Sequence, residues 1–248
     1  MNGLAGAFRA SADRWNVPIG PALAINAIGL VGMPVVAALF FLDRDAFGLV
    51  LDEDRIVEWA QVAFYLGTTA FAAVIAWDRL RRGYRVQAAT WLLAGLFAIV
   101  IVGEEIAWGQ RLLGLETPEI LEEVNKQDEI TFHNIGETLT AFNVVLFVAS
   151  VYAIAAEAIN RRWHLFRRVP DGERLYVPPF FLSGLFAVMA TYRIVRTFVL
   201  NQESYALTNL SEWAELCFVV GLFITVMLSA RWLARHPMTE PLGANAPG

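Results

Sequence analysis

Cysteine, histidine and charged residues are all scarce in this chain. The single cysteine, Cys217, excludes an intrachain disulfide. With three histidines, the chain also lacks an HExxH motif or a cysteine cluster for a metal. Only 17% of its residues are charged and the formal net charge is −5, which argues against a basic nucleic-acid-binding surface. We therefore expect no nucleic acid among its partners.

Apolar residues make up 57% of the 248 positions, and the mean hydropathy is +0.49. Six apolar stretches are long enough to cross a hydrocarbon layer of roughly 30 Å as helices. They are Pro18–Leu42, Ile56–Trp77, Val86–Arg111, Ile135–Asn160, Pro178–Asn201 and Ser211–Arg231. The sequence predicts an all-α polytopic membrane protein built as three helical hairpins. Residues 1–235 form one six-helix transmembrane domain, and 236–248 have the composition of a disordered tail.

Basic residues predict the orientation of these spans. Thirteen arginines lie before span 1 or after spans 2, 4 and 6, whereas the opposite flanks carry only Arg44, Arg55, Arg111 and Lys126. Because positive loops stay in the cytoplasm, we expect both termini to be cytoplasmic. Span 1 is too long for a signal-peptide core and lacks a convincing cleavage site. We expect a multi-pass protein of the bacterial inner membrane, with the lipid bilayer as its first partner.

Spans 2 and 6 begin with similar sequences, EWAQVAFYLG (Glu58–Gly67) and EWAELCFVVG (Glu212–Gly221). Five of the ten positions match, and span 4 also begins with an acid, Glu137. This pattern indicates a parallel internal repeat. An alternative is local, because Asn134 with Glu137, and Asn209 with Glu212, have the spacing of a capping box. Acids in a first turn also complement the helix dipole.

Glu104 and Glu105 cannot be explained in that way. They lie near the end of span 3, in AIVIVGEEIAWGQR, where the helix dipole disfavours negative charge. Helical spacing places Glu104, Trp108 and Arg111 in one stripe, with Glu105 about a quarter turn away. Charged groups at membrane depth need a partner, a proton or water. We therefore expect a functional site at this end of span 3.

Arg193 and Arg196 lie three residues apart within the apolar run of span 5. Ion pairs of these arginines with Glu104 and Glu105 of span 3 would satisfy all four charges, so a purely structural network is one interpretation. However, six acids near this depth exceed the three arginines there, Arg111, Arg193 and Arg196. The surplus predicts a polar cavity open to the outer side. The six acids are Glu58, Glu104, Glu105, Glu137, Glu212 and Glu215.

The loop at 114–133 is longer than ordinary connections, and its Thr117-Pro118-Glu119 start predicts a short interfacial helix. After it, Glu129, His133 and Glu137 have i, i+4, i+8 spacing and would share a helix face. Carboxylate and imidazole ligands suit zinc, iron or manganese. These three residues are therefore candidate ligands for a divalent metal, which is the one cofactor that the sequence suggests. A hydrogen-bonding or capping role for His133 is the alternative.

The run GEEIAWGQRLLGLETPEILEEVNKQDEITFHN resembles a segment of a bacterial multi-span membrane protein family that has no established activity. The shared elements are an EExxWGQR block at Glu104–Arg111, a TPE start at Thr117 and a closing HN at His133-Asn134. The chain also resembles, more loosely, the glutamate-dependent CAAX-type intramembrane proteases. There the likeness implies that Glu104 or Glu105 activates water while His133 assists the oxyanion. Arg111 comes two residues later than in their EExxxR block, and Phe132 is adjacent to His133 instead of four residues away.

Three function classes follow from these residues. In a membrane-embedded hydrolase or transferase, Glu104 or Glu105 is the general base and His133 an acid/base group or ligand. The substrate, a lipid-like or small molecule, is then bound by Trp108, Gln110, Arg111, Arg193 and Arg196. The same acids would serve a proton- or cation-coupled transporter, although no Gly/Pro break marks a midplane site. The third class is a non-catalytic subunit that docks an unidentified protein through its outer patch.

Overall fold

The computed structural model of the chain describes residues 3–52, 55–110, 136–200 and 204–236, and for 136–139 it describes the backbone alone. Within these ranges all regular structure is helical. The helices are α1 Leu4–Arg14, α2 Ile19–Leu42, α3 Arg44–Leu51, α4 Ile56–Arg81, α5 Arg85–Glu105, α6 Gly136–Trp163, α7 Gly172–Tyr176, α8 Ser183–Phe198 and α9 Tyr205–Arg235. Short 3₁₀ turns occur at Ala107–Gly109 and Phe180–Leu182.

Six helices in the described ranges are long and apolar enough to cross a membrane. The prediction of an all-helical, multi-pass membrane protein is confirmed at this level. Their outward faces are apolar, as helices in lipid require: on α2, Leu23, Ile28 and Val31 are all more than half exposed. The short helices α1 and α3 lie beside the spans and have no counterpart among the predicted elements.

α9 lies at the centre of the bundle. It packs against α4 on one side and against α8 and α2 on the other, while α5 packs on α4 and α6 packs on α8. With 31 residues, α9 is about 46 Å long, which exceeds the hydrocarbon thickness. The helix is therefore longer than a perpendicular crossing of the apolar layer requires.

The two helices with matching sequences, α4 and α9, are parallel neighbours. Near their starts the Gln61 amide nitrogen bonds to Glu212, and near their ends Arg82 donates to the backbone oxygen of His236. Between these contacts the helices approach closely, since a Cβ on Gly67 would lie 2.6 Å from the Phe223 ring. The repeated segments thus face each other across one interface.

The described chain ends meet at one end of the bundle, which we call the terminal end. Arg174 of α7 donates to the backbone oxygen of Arg14 on α1, and Arg82 reaches His236. Arg79 is fully buried there and donates to Asp78 and to Asp171, each at 2.6 Å. These charge-assisted bonds link α4 to the start of α7 and fix this end of the bundle.

A second buried charge at the terminal end is Glu157 of α6, which is 3% exposed. Its carboxylate accepts hydrogen bonds from the Ser11 hydroxyl at 2.8 Å, from the Phe180 backbone N–H at 3.0 Å and from Arg161. A buried carboxylate needs such partners to offset its desolvation. Glu157 therefore joins α1 and the Phe180–Leu182 turn to α6.

Candidate functional site

The opposite end of the bundle, which we call the acidic end, is marked by an abrupt stop of α5. The helix ends at Glu105, and Ala107, Trp108 and Gly109 all have positive φ angles of 45°, 51° and 81°. Two successive non-glycine residues in this region store strain, which is uncommon away from functional segments. The predicted span to Arg111 is therefore too long, because the regular helix stops six residues earlier.

The turn folds Trp108 back onto α5. The indole Nε1 donates to Glu104 Oε1 at 2.7 Å, and the ring lies where a Cβ on Gly103 would be 2.9 Å from it. Trp108 and Glu104 are thus in contact, although the regular helical stripe expected to join them is interrupted. Glycine at position 103 allows this close approach.

Glu105 is half-buried and interacts electrostatically with four other carboxylates. Two of them, Glu212 and Glu215, belong to α9; Glu58 belongs to α4 and Glu104 to α5. Three helices thus bring five acids together at the acidic end, and we call these residues the carboxylate cluster. Like charges placed close together are unfavourable unless protons, cations or water compensate for them.

Two buried polar side chains of α4 border the carboxylate cluster. Gln61 is fully buried, and its amide nitrogen donates to the Glu212 side chain at 3.0 Å and to the Glu212 backbone oxygen at 2.9 Å. Its Oε1 is buried without a hydrogen-bond partner in the described part of the chain. Tyr65, 1% exposed, interacts with Glu105, Glu212 and Glu215. A buried acceptor without a donor next to these acids is where a proton or a cation would bind favourably.

Arg193 forms an ion pair with Glu215 of α9 at 2.8 Å, with both side chains largely buried. We expected Arg193 to pair with an acid of span 3. It pairs with an acid of α9 instead, because α8 packs directly on α9. Arg196 donates to the backbone oxygen of Leu200 and so turns towards the end of its own helix. Arg193 therefore contacts a member of the carboxylate cluster.

The capping-box interpretation fails for Glu212, and the first-turn interpretation holds for Glu58. α9 begins at Tyr205, with Ser204 as the N-cap, so Glu212 lies two turns inside the helix. Asn209 does not cap it and instead donates to Asp52 at 2.6 Å. Glu58 does lie in the first turn of α4, where the helix dipole favours an acid.

Several predicted site residues fall outside the described residues. Arg111, Glu129, His133 and the interfacial helix expected at 114–133 belong to this group, and for Glu137 the backbone alone is described. The predicted metal site thus stays a prediction. Among the described residues, no three His, Cys, Asp or Glu side chains are arranged to hold a metal ion. Gln110 is described and is 8% exposed.

Gln61 and Tyr65 were missed by the sequence analysis. Gln61 follows Glu58 by three residues, so both lie on one helix face, and it occupies the repeat position that Glu215 has in α9. That correspondence was a usable signal. Tyr65 offered no comparable signal, because tyrosine is ordinary within an apolar span.

The comparisons with known proteins give no family for this chain. No family model matches it, and neither the curated proteins nor the solved structures contain a match. Its function must therefore be argued from the site itself.

Proposed function

We propose that this protein is a membrane-embedded hydrolase or transferase that uses Glu105 as its general base. A carboxylate that accepts a proton from water or from a substrate hydroxyl needs surroundings that bring its pKa close to neutral pH. Burial and neighbouring acids supply such surroundings. Glu105, half-buried among four other acids, has both, and this observation carries the proposal.

The polar groups support a site that opens to one surface only. Between the acidic end and the terminal end, the bundle interior is mostly apolar, with residues such as Val62, Ala98 and Val219 packed in one cluster. The buried Thr68 and Thr225 hydroxyls there donate to backbone oxygens of their own helices. A transport pathway would need polar groups across this layer. A one-sided site is what an enzyme acting on a lipid-like substrate within one leaflet requires.

Other residues have supporting roles in this proposal. Glu104, held by Trp108, lies next to the base, and His133 is the proposed acid/base partner or metal ligand. Arg193 and Arg196 would bind an anionic group of the substrate, assisted by Gln110 and Arg111. Because Arg193 already contacts Glu215, an anionic substrate would replace that carboxylate as its partner.

We place the protein in a bacterial inner membrane with both termini in the cytoplasm, so that the acidic end faces outwards. The excess of arginine at the terminal end supports this orientation. A protease site added after residue 236 should resist external protease in intact cells. Cleavage from outside would reverse the orientation.

The main test replaces Glu105 by Gln and Glu104 by Gln in protein reconstituted with a total bacterial lipid extract. Mass spectrometry before and after incubation should show a lipid product with the wild type, and a loss of at least about 100-fold with Glu105→Gln. Asp45→Asn is the matched control, because Asp45 is an exposed acid near the same surface. Wild-type turnover by both folded glutamine variants would contradict the proposal.

Cation or proton coupling is the second candidate function, favoured by the unpartnered Oε1 of Gln61. The same liposomes test it when they are loaded with a pH-sensitive dye or with labelled sodium. Flux that depends on Glu105, with no lipid product, would rank transport above catalysis.

A further inference from the structure

A second polar site lies at the terminal end, on the far side of the bundle from the carboxylate cluster. It is a cavity of about 320 Å³ between α1, α7 and the last turns of α9. Four arginines and a histidine line it: Arg14, Arg174, Arg231, Arg235 and His236. No acid is among the lining residues, so the cavity concentrates positive charge.

Two tryptophans build the walls of this cavity. Arg174 lies over the ring of Trp15 at 4.8 Å and near that of Trp232 at 5.7 Å, which fixes its guanidinium by cation–π contacts. Trp232 in turn stacks on His236, with ring centroids 4.3 Å apart. Arg174 and His236 are therefore held by packing and do not have to be ordered by a ligand.

Several hydrogen-bond donors at the cavity have no acceptor. Trp15 is 6% exposed, and its Nε1 makes no hydrogen bond within the described residues. The same holds for Nε and Nη2 of Arg14, whose nearest acids, Glu157 and Glu173, are 3.8 Å away. Buried donors without acceptors are uncommon in folded proteins. A ligand with several acceptor oxygens would satisfy them.

We propose that this cavity binds the phosphate group of an anionic phospholipid. Arginine forks match phosphate oxygens, and indole N–H groups are frequent donors at the level of lipid headgroups. The volume is at the lower limit for ligand sites, which suits a headgroup and leaves the acyl chains outside. The exposed apolar faces of the neighbouring spans are where those chains would lie.

The site is distinct from the carboxylate cluster and does not depend on the proposed catalytic activity. From Glu212 to Arg235, α9 rises about 35 Å, so the two sites lie near opposite membrane surfaces. The bound lipid would belong to the leaflet at the terminal end. Its headgroup would link α1 and α7 to the end of α9.

The test uses native mass spectrometry of the full-length protein with phosphatidic acid, with phosphatidylcholine and with inorganic phosphate. Phosphatidic acid should bind at least about tenfold more tightly than phosphatidylcholine, because the latter carries a compensating positive charge. The double substitution Arg231→Gln with Arg235→Gln should weaken phosphatidic acid binding about 25-fold, or about fivefold for each arginine. Both side chains are exposed, so the fold should persist, which the thermal midpoint verifies.

The matched control is Arg167→Gln with Arg168→Gln, which removes two exposed arginines that do not line the cavity. This pair should lose less than about threefold in affinity. Equal losses in both double variants would mean general surface attraction and would overturn the proposal. Binding of neither phosphatidic acid nor phosphate by the wild type would overturn it as well.

Inorganic phosphate distinguishes the two sources of the anion. If the cavity takes a lipid headgroup, millimolar phosphate should leave most of the phosphatidic acid bound. If phosphate binds alone, and binding is lost in Arg231→Gln with Arg235→Gln, the phosphate chemistry is supported and its source is a soluble anion. Retention of phosphate by that double variant would overturn the assignment to this cavity.

Discussion

Buried charged side chains have opposite surroundings at the two ends of the bundle. At the terminal end, Arg79 lies between Asp78 and Asp171, and Glu157 accepts bonds from α1, from the Phe180 backbone and from Arg161. At the acidic end, five carboxylates gather, and Arg193 pairs with Glu215. Charges at the first end hold helices together, whereas at the second Glu105 lies among four other carboxylates.

Such a difference is what we expect between structural acids and the functional acids that we propose. A paired, hydrogen-bonded acid such as Glu157 lowers the free energy of the fold, and its loss leaves partners unsatisfied. An acid placed among other acids raises the free energy of the fold, and such a placement is typical of sites selected for binding or catalysis. Measuring stability at both ends tests this distinction without knowledge of the substrate.

The largest effect is expected for Arg79→Met. The change removes a fully buried guanidinium and leaves Asp78 and Asp171 without their shared partner. Breaking a buried ion pair costs about 3–5 kcal/mol, and the partial exposure of both aspartates favours the lower figure. We expect a loss of about 3 kcal/mol in the free energy of unfolding in detergent. Chemical denaturation followed by circular dichroism measures it.

Arg81→Met is the control for this change, because Arg81 is exposed on the same helix. Its effect should remain within about 0.5 kcal/mol. A similar stability for both variants would remove Arg79 from the structural network and would weaken the contrast between the two ends.

A smaller effect, of opposite sign at the two ends, is expected for glutamate-to-glutamine changes. Glu157→Gln loses charged hydrogen bonds to Ser11, to Phe180 and to Arg161, so unfolding should become easier by about 1.5–3 kcal/mol. Glu105→Gln removes one charge from among four others, so stability should stay equal or rise by about 0.5–1 kcal/mol. Thermal midpoints of the two variants in one detergent give the comparison.

The sign of the stability change is the most decisive part of this test. Destabilisation by Glu105→Gln as large as that by Glu157→Gln would show that Glu105 is held by favourable partners. The carboxylate cluster would then be a structural network, like the one at the terminal end.

Hydropathy was sufficient to predict the six spans, because each must present an apolar surface to lipid. Helix bounds were less accurate where side-chain contacts decide them. α9 begins at Tyr205, six residues before the predicted start at Ser211, since the Ser204 hydroxyl accepts from the Leu207 N–H and caps the helix. The predicted span 3 was too long at its end, because the turn at Ala107–Gly109 interrupts the helix although the sequence there shows no loss of apolar residues.

The sequence also indicated which acids lie near one another at the acidic end, but not which partners they have. Glu104 and Glu105 were identified from their unfavourable place at a helix C-terminus. The partner of Arg193 depends on which helices are neighbours, and hydropathy does not contain that information. Glu157 was missed for a related reason: it lies near the end of a span, where a charged residue attracts no notice until its buried partners are known.

The smallest effect is expected for Trp108→Phe at the acidic end. The change keeps an aromatic ring against Gly103 but removes the N–H that donates to Glu104. Because Trp108 is 46% exposed, this hydrogen bond should contribute only about 0.5–1 kcal/mol. Trp77→Phe is the control, since Trp77 is 63% exposed at the end of α4 nearer the terminal end. A double-mutant cycle with Glu104→Gln isolates the pair. A coupling energy near zero would mean that the hydrogen bond between Trp108 and Glu104 does not hold the strained turn.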